Sequence, residues 1–311
     1  MNKLKKVLLI INPCAGQNRK RVSAEDFIEN FPADEYEFTV KHTEKAGHAT
    51  ELVNEFGNEH DIILCAGGDG TLNETINGVM DMANRKPIGY IPMGSTNDFA
   101  TTLGLSSKNA ADIIKSGHMN WYDIGLFNNR YFEYVASFGA FTRASYSTPQ
   151  KWKNLFGHAA YIAVGVSQLN EIKPMHMRIE YDDNVIEDDF YFGAIANSTS
   201  VAGVFKFDLD AVRLDDGVFE ILLIRKLRNF IDIPLLLAKV RSKKYDGDQI
   251  IFARANSVKI TSDKPVAWTL DGEDGGKHTQ IVVNNLCRAI KICSPENKLF
   301  SVAVEDEKEN A

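Results

Sequence analysis

Cysteine is scarce in this chain, with only Cys14, Cys65, Cys287 and Cys293 among 311 residues. None forms a CxxC pair or has a histidine at metal-ligand spacing, so neither a disulfide framework nor a zinc ribbon can be written. A reduced, cytoplasmic protein fits this usage, with Cys65 as a core residue inside its apolar run. Long apolar stretches are missing too: nothing approaches the ~20 residues a membrane span needs. The opening Met-Asn-Lys-Leu-Lys-Lys followed by VLLIIN has the charge and apolarity of a signal peptide. Its apolar part is too short, however, and no small-residue cleavage site follows, so it reads as a buried first strand. Positive charge is not in excess either. A formal charge of −7 gives no global field toward nucleic acid or anionic membrane. The basic residues Lys239, Arg241, Lys243 and Lys244, and Lys151 and Lys153 around Trp152, are solvated helix faces or local membrane-touching patches. No Gly-Lys-Ser/Thr of a Walker A loop, no GxGxxG and no internal repeat occurs.

What is present is the patterning of a globular protein, and it changes along the chain. Over the first third, apolar strands at residues 7–11, 36–41, 62–66 and 88–91 alternate with helical patterns at 24–31, 46–56 and 75–83. That is the signature of an α/β domain with a parallel sheet. Loops following the carboxyl ends of such strands share one edge, where ligands bind. From about Trp121 strand-like runs dominate, at 131–138, 175–181, 190–196, 218–224, 258–260, 267–270 and 280–292. Asp182-Asp183-Asn184 reads as a hairpin turn, and helical patterns interrupt only near 158–169 and 230–240. The expected fold is therefore an α/β nucleotide-binding domain of Rossmann-like type plus a mostly antiparallel β domain, a sandwich or open barrel. The tail after Val304 is acidic, with the composition of a disordered segment.

The strongest chemical signal is Gly67-Gly68-Asp69-Gly70-Thr71-Leu72-Asn73-Glu74, between a strand and a helix. Successive glycines let backbone N–H groups converge on an anion, and the following helix adds its positive end. A carboxylate inside such a nest would repel phosphate unless a cation sits between them. Asp69 thus points to bound Mg²⁺ or to a proton-accepting role beside the transferred phosphate. The competing reading is a glycine turn with a capping Asp. A second cluster, Pro92-Met93-Gly94-Ser95-Thr96-Asn97-Asp98, follows the next strand. It supplies a tight turn, hydroxyl donors and a second carboxylate on the same edge, although alone it would pass for a helix N-cap.

Together these motifs resemble the diacylglycerol kinase catalytic-domain family, which includes bacterial soluble lipid kinases, sphingosine kinases and ceramide kinases. Further matches span nearly the whole chain. Asn12-Pro13-x-x-Gly16 is similar to the family's opening loop, and Thr43 with Gly47-His48-Ala49 to its Thr-x-x-x-Gly-His-Ala segment. Residues 121–125 resemble its Asp-x-Gly junction, Leu214-Asp215-Asp216-Gly217 its Asp-Asp-Gly, and Asp271-Gly272-Glu273 its late Asp-Gly-Glu. The resemblance implies an ATP- and Mg²⁺-dependent kinase that phosphorylates a lipid hydroxyl. Nucleotide would be bound by Asn12, Pro13, Gly16, Thr43, Gly67, Gly68, Asp69, Gly70, Thr71, Leu72, Asn73, Gly94, Ser95, Thr96 and Asn97. Asp69 and Asp98 would organise the catalytic Mg²⁺, and Glu273, with Asp271 beside it, would accept the hydroxyl proton. A structural Mg²⁺ would sit at Asp216 with the backbone around Arg213 and Val218. The implied domains are residues 1–122, with a returning tail 296–311, and residues 123–295, with the active site and a lipid-admitting pocket between them.

The chain departs from the family at two points. Ala15 stands where a hydroxyl residue is usual, which removes one phosphate contact. Between Asn197 and Asp215, Ala202-Gly203-Val204 replaces a glycine run and the later proline is missing, which affects the loop near the structural metal. The acceptor could be diacylglycerol, giving phosphatidic acid, or phosphatidylglycerol, a sphingoid base or another membrane alcohol. Phe138, Phe141, Trp152, Phe156 and Tyr161 could line its cleft or belong to the core. NAD kinases and phosphofructokinases share Gly-Gly-Asp-Gly-Thr, so a soluble acceptor is the alternative. Against it stand Leu72-Asn73-Glu74, the Ser-Thr-Asn-Asp segment and Asp-Gly-Glu. A silent sensor would have lost a carboxylate at Asp69, Asp98 or Glu273. The expected protein contacts a membrane peripherally and transiently, binds no nucleic acid, and is a monomer or a homodimer.

Overall fold

The computed structural model describes residues 4–16, 24–94, 97–139, 173–201, 205–208, 212–227, 236, 238–240, 242–243, 245 and 247–301. Ser95, Thr96, Phe141, Lys151, Trp152, Lys153, Phe156, Tyr161, Arg241 and Lys244, the helical pattern at 158–169, the 202–204 segment and the acidic tail lie outside them. In chain order the first elements are β1 (Lys5–Ile11), α1 (Ala24–Ile28), β2 (Tyr36–His42), α2 (His48–Phe56), β3 (Ile62–Gly67), α3 (Asp69–Asp81), β4 (Ile88–Pro92), α4 (Asp98–Leu103), α5 (Ala110–Ser116) and β5 (Met119–Phe127). Then follow β6 (Arg130–Phe132), β7 (Val135–Gly139), β8 (Met175–Tyr181), β9 (Asn184–Ala196), β10 (Ser200–Val201), β11 (Phe205–Lys206), β12 (Phe219–Arg225), β13 (Ile250–Ala255), β14 (Ser257–Leu270) and β15 (Glu273–Cys293). No described helix is long and apolar enough to cross a membrane.

The chain divides into two compact units, the first comprising Met1–Asp123, Leu214–Asp216 and Cys287–Ala311. Its sheet has the order β2-β1-β3-β4, all parallel, with the far end of β15 added beside β4 through Ile292 opposite Ile88. The strands are apolar without alternation because both faces are covered. Val7, Leu9, Ile62, Leu64 and Ile91 pack with Phe27, Phe31, Ala110 and Ile114 on one side. Strand alternation turns Leu8, Ile10, Ile63 and Cys65, all fully buried, to the other side. The carboxyl ends of β1, β2, β3 and β4 therefore point one way, and their four following loops share an edge.

The second unit, Ile124–Arg213 with Gly217–Leu286, is antiparallel. The long strands β9 and β14 each pair with β8 along their first half and with β7 along their second. The hydrogen-bonded path β7-β9-β8-β14 thus closes on itself, and β12 and β13 extend it beyond β9. Phe127, Phe132, Phe138, Phe190, Phe219 and Trp268 fill the enclosed core. Two of the expected strands are longer in the structure. Residues 190–196 extend back to Asn184 after the two-residue loop Asp182-Asp183, with Asp182 at φ 46°. Residues 280–292 are part of a 21-residue strand, β15. In both, the polar extension lies on a half-solvated sheet, where apolarity marks only alternate residues.

Candidate active site

The glycine-rich segment turns from β3 into α3, a 13-residue helix that begins at Asp69 with Gly68 as its N-cap. The loop after β4 is pressed against it. A Cβ on Gly94 would stand 2.6 Å from the Gly68 Cα and 2.7 Å from Asn97 Oδ1, so only glycine allows this approach. The Met93 N–H donates to the Gly67 carbonyl at 2.7 Å. Asn97 holds the turn in the left-handed region at φ 52°. Its side-chain amide donates to the Gly94 carbonyl at 2.8 Å, and its Oδ1 accepts from the buried Tyr90 hydroxyl at 3.3 Å.

The two loops bring Asp69 and Asp98 together. Burial pushes the Asp69 carboxyl above its usual range, and the Asp98 charge adds to that, against the amides of Asp98, Asn97 and Phe99 at the start of α4. Asp69 Oδ1 is buried and has no hydrogen-bond partner among the described residues. Asp98 is exposed. A buried carboxylate oxygen without a donor, beside a second carboxylate, is disfavoured unless a cation joins them. Carboxylate oxygens are the ligands Mg²⁺ prefers, so this donor set fits that ion.

The remaining loop residues of the first unit knit this edge. Asn12 ends β1, and its Nδ2 donates to Thr71 Oγ1 at 2.9 Å while its Oδ1 accepts from the Cys14 N–H. Pro13 and Gly16 lie in the following turn, where a Gly16 Cβ would meet the Met93 carbonyl oxygen. Thr43 is buried, its N–H donating to the Ile11 carbonyl at 2.9 Å. Gly70 is exposed, Asn73 partly so, and Leu72 is a core side chain with no exposed surface. Sequence reasoning gave Glu74 no role of its own. Its carboxylate accepts from the Gly47 N–H at 2.7 Å and the Ala49 N–H at 3.1 Å, and its carbonyl from Thr50 Oγ1 at 2.7 Å. Glu74 therefore caps α2 and fastens the Gly47-His48-Ala49 segment to the glycine-rich helix. An acid one turn into a helix carries no sequence signal for such a distant cap.

In the second unit, Asp271 and Gly272 are a two-residue hairpin loop between β14 and β15, with φ of 51° and 87°. Positive φ at both positions is the primed turn that Asp-Gly favours. Asp271 is only partly exposed and its carboxylate is enclosed. It accepts from the amides of Glu133, Tyr134 and Val135 at 2.9, 2.9 and 2.8 Å. Glu273 closes the hairpin opposite Leu270 and is exposed.

Of the Asp-Asp-Gly pair, Asp216 is exposed and Asp215 buried. Asp215 Oδ1 accepts from Ser301 N–H and Oγ at 2.8 and 3.0 Å, while Arg288 Nη2 reaches Oδ2 at 3.4 Å. The Arg288 N–H in turn donates to buried Asp123 at 2.7 Å. Arg213 and Val218 flank the bend and are partly exposed. Among the described residues no group of three or more His, Cys, Asp or Glu side chains is arranged to hold a metal.

Two family models cover most of the chain. The diacylglycerol kinase catalytic domain matches residues 6–127, and the YegS C-terminal NAD kinase beta sandwich-like domain matches residues 135–294. A protein of Staphylococcus epidermidis named diacylglycerol kinase is 36% identical over 308 residues, spanning 97% of this chain and 96% of its own. A protein of the same name from Staphylococcus aureus is 35% identical over 297 residues, spanning 94% and 93%. Two crystal structures of Bacillus anthracis proteins share the fold. One has a TM-score of 0.75 at 25% identity and the other, titled a diacylglycerol kinase, 0.71 at 23%; each covers 95% of this chain and 98% of its own.

Proposed function

The chain belongs to the diacylglycerol kinase catalytic-domain family and is on that ground a lipid kinase; we propose that it transfers the γ-phosphate of ATP to diacylglycerol, giving phosphatidic acid. The observation that carries this is the buried, unpartnered Oδ1 of Asp69 beside Asp98 at the head of α3. A phosphoryl-transfer site needs charge neutralisation at this position and a carboxylate to take a proton. Bound at Asp69 and Asp98, Mg²⁺ would neutralise charge on the phosphates. The amides opening α3, with Asn12, Thr43 and Thr96, hold the nucleotide. Glu273 accepts the proton of the lipid hydroxyl as its oxygen bonds to the γ-phosphorus and the bond to the ADP oxygen breaks. Asp271, already engaged by three amides, holds the turn that carries Glu273. Asp216 with the carbonyls near Arg213 and Val218 is the proposed place of a second, structural Mg²⁺. The lipid is met at a membrane surface from the aqueous side.

The test is transfer of radiolabelled γ-phosphate, with Mg²⁺, into a panel of lipids in mixed micelles, with NAD and fructose 6-phosphate alongside. Label in diacylglycerol is expected. Label in another lipid corrects the acceptor only, whereas label confined to a soluble acceptor overturns the lipid reading.

A further inference from the structure

Two glutamates of the second unit are almost wholly buried, Glu220 and Glu133. Buried carboxylates ordinarily find a cation, and Glu220 has one: Arg254 Nε stands 3.3 Å from its Oε1. Glu133 instead meets another acid: its buried side chain lies within hydrogen-bonding reach of the Asp271 carboxyl, whose Oδ2 the Glu133 amide already engages at 2.9 Å. Ionised carboxylates are acceptors only, so two of them share a hydrogen bond only when one carries a proton.

Which acid carries it follows from the other bonds. Asp271 Oδ1 already accepts from the Tyr134 and Val135 amides, and Oδ2 from the Glu133 amide. Three N–H donors favour its charged form, which leaves the proton on Glu133. The Asp271 N–H also donates to the Val135 carbonyl at 2.8 Å, so the Asp-Gly loop is tied at both ends of its first residue. Two residues along that loop stands Glu273.

We propose that Glu133 is a positioning residue: protonated, it completes the ring of donors around Asp271, locks the Asp271-Gly272 turn onto residues 133–135, and so fixes Glu273 for its chemistry. The last step rests on the reading of Glu273 as proton acceptor; the lock does not. Burial pushes the Asp271 carboxyl up, so the pair retains its proton in the fold above the pH at which free carboxyls ionise. A folded-state value raised above the unfolded one stabilises at low pH and loses that contribution as pH rises through it. The other charged or titratable groups around the turn are Glu273 and Asp274 on the hairpin, Arg130, whose Nη1 donates to the Asp274 carbonyl, Tyr134, bonded to Ser200, and His278, bonded to the Gly275 carbonyl.

The experiment compares wild type, Glu133→Ala and Glu133→Gln in the full chain, reading melting temperature, kcat and the KM for ATP from pH 5 to 9. Glu133→Ala is expected to lower kcat on the order of 10²-fold, as a misplaced reacting group does, with the KM for ATP unchanged. Glu133→Gln, whose amide donates where the proton did, restores most of that loss. It also removes the fall in melting temperature that wild type shows as pH rises. If Glu133→Gln fails to fold, or loses as much as Glu133→Ala, the proposal is overturned, as it is if Glu133→Ala keeps wild-type kcat. Glu273→Gln run in parallel separates the two readings. Undiminished turnover there removes the proton acceptor, while the pH dependence of melting still decides for or against the lock.

Discussion

Asp69 and Asp271 are both enclosed carboxylates whose proton affinity is raised by burial, yet their surroundings differ in kind. Asp271 sits under three backbone amides. Asp69 has a buried oxygen with no donor among the described residues. Satisfied buried polar groups specify local structure, and unsatisfied ones persist where a ligand supplies what the fold omits. The comparison teaches that burial and a shifted carboxyl do not identify a reactive group. What separates them is whether each buried oxygen has a donor: three backbone amides act on either carboxyl, but Asp69 Oδ1 has no donor among the described residues, whereas both oxygens of Asp271 are engaged.

The comparison breaks first at Asp69. Asp69→Asn is expected to abolish transfer while the chain stays folded, since an amide at that position removes a buried charge rather than a partner. Mg²⁺ should raise the melting temperature of the wild type more than that of the variant. Wild-type activity in Asp69→Asn would end its assignment to the metal. Next in size is Glu273→Gln, which is expected to lower kcat by about 10²–10⁴-fold, the usual range for a lost proton acceptor. Nucleotide affinity, read by titration calorimetry, should not move, and a pure KM effect would count against the role.

Asp271→Ala sharpens the contrast from the other side. Three partly buried amides lose their acceptor, and a side chain that suits the left-handed region is replaced by one that does not. The expected loss is about 3 kcal/mol of stability, read by denaturant unfolding, with turnover falling because Glu273 is released. A variant as stable as wild type would show that the amides of residues 133–135 find water instead.

Much of this was legible in the sequence, because parallel strands buried on both faces write themselves as apolar runs and phosphate loops as glycine runs. The family, the α/β plus β fold class and the strand–glycine–helix setting of Asp69 followed from those signals. The joins between segments were not legible. Glu74 reaches back 25 and 27 residues to cap α2, and Glu133 meets an acid 138 residues away. Arg288 reaches Asp123 and Asp215, 165 and 73 residues earlier. Such bonds depend on register and burial, which no local pattern encodes, and a single glutamate in a polar turn looks like any solvated residue.

The Asp215-Asp216 pair carries the smallest effect and the same lesson, since adjacent identical residues should answer differently. Asp215 is buried and gathers Ser301 and Arg288. Arg288 is itself nearly half exposed, so the ion pair contributes little. The buried acceptor for the Ser301 amide and hydroxyl matters more, and Asp215→Ala is expected to lower stability by about 2 kcal/mol with or without Mg²⁺. Asp216 is exposed, and without Mg²⁺ its alanine variant should stay within about 0.5 kcal/mol of wild type. A stabilisation by Mg²⁺ that survives in the double variant Asp69→Asn, Asp98→Asn but vanishes when Asp216→Ala is added to it would place a second ion there. Identical Mg²⁺ responses in Asp216→Ala and wild type would leave the first site as the sole binder and the bend as a plain turn.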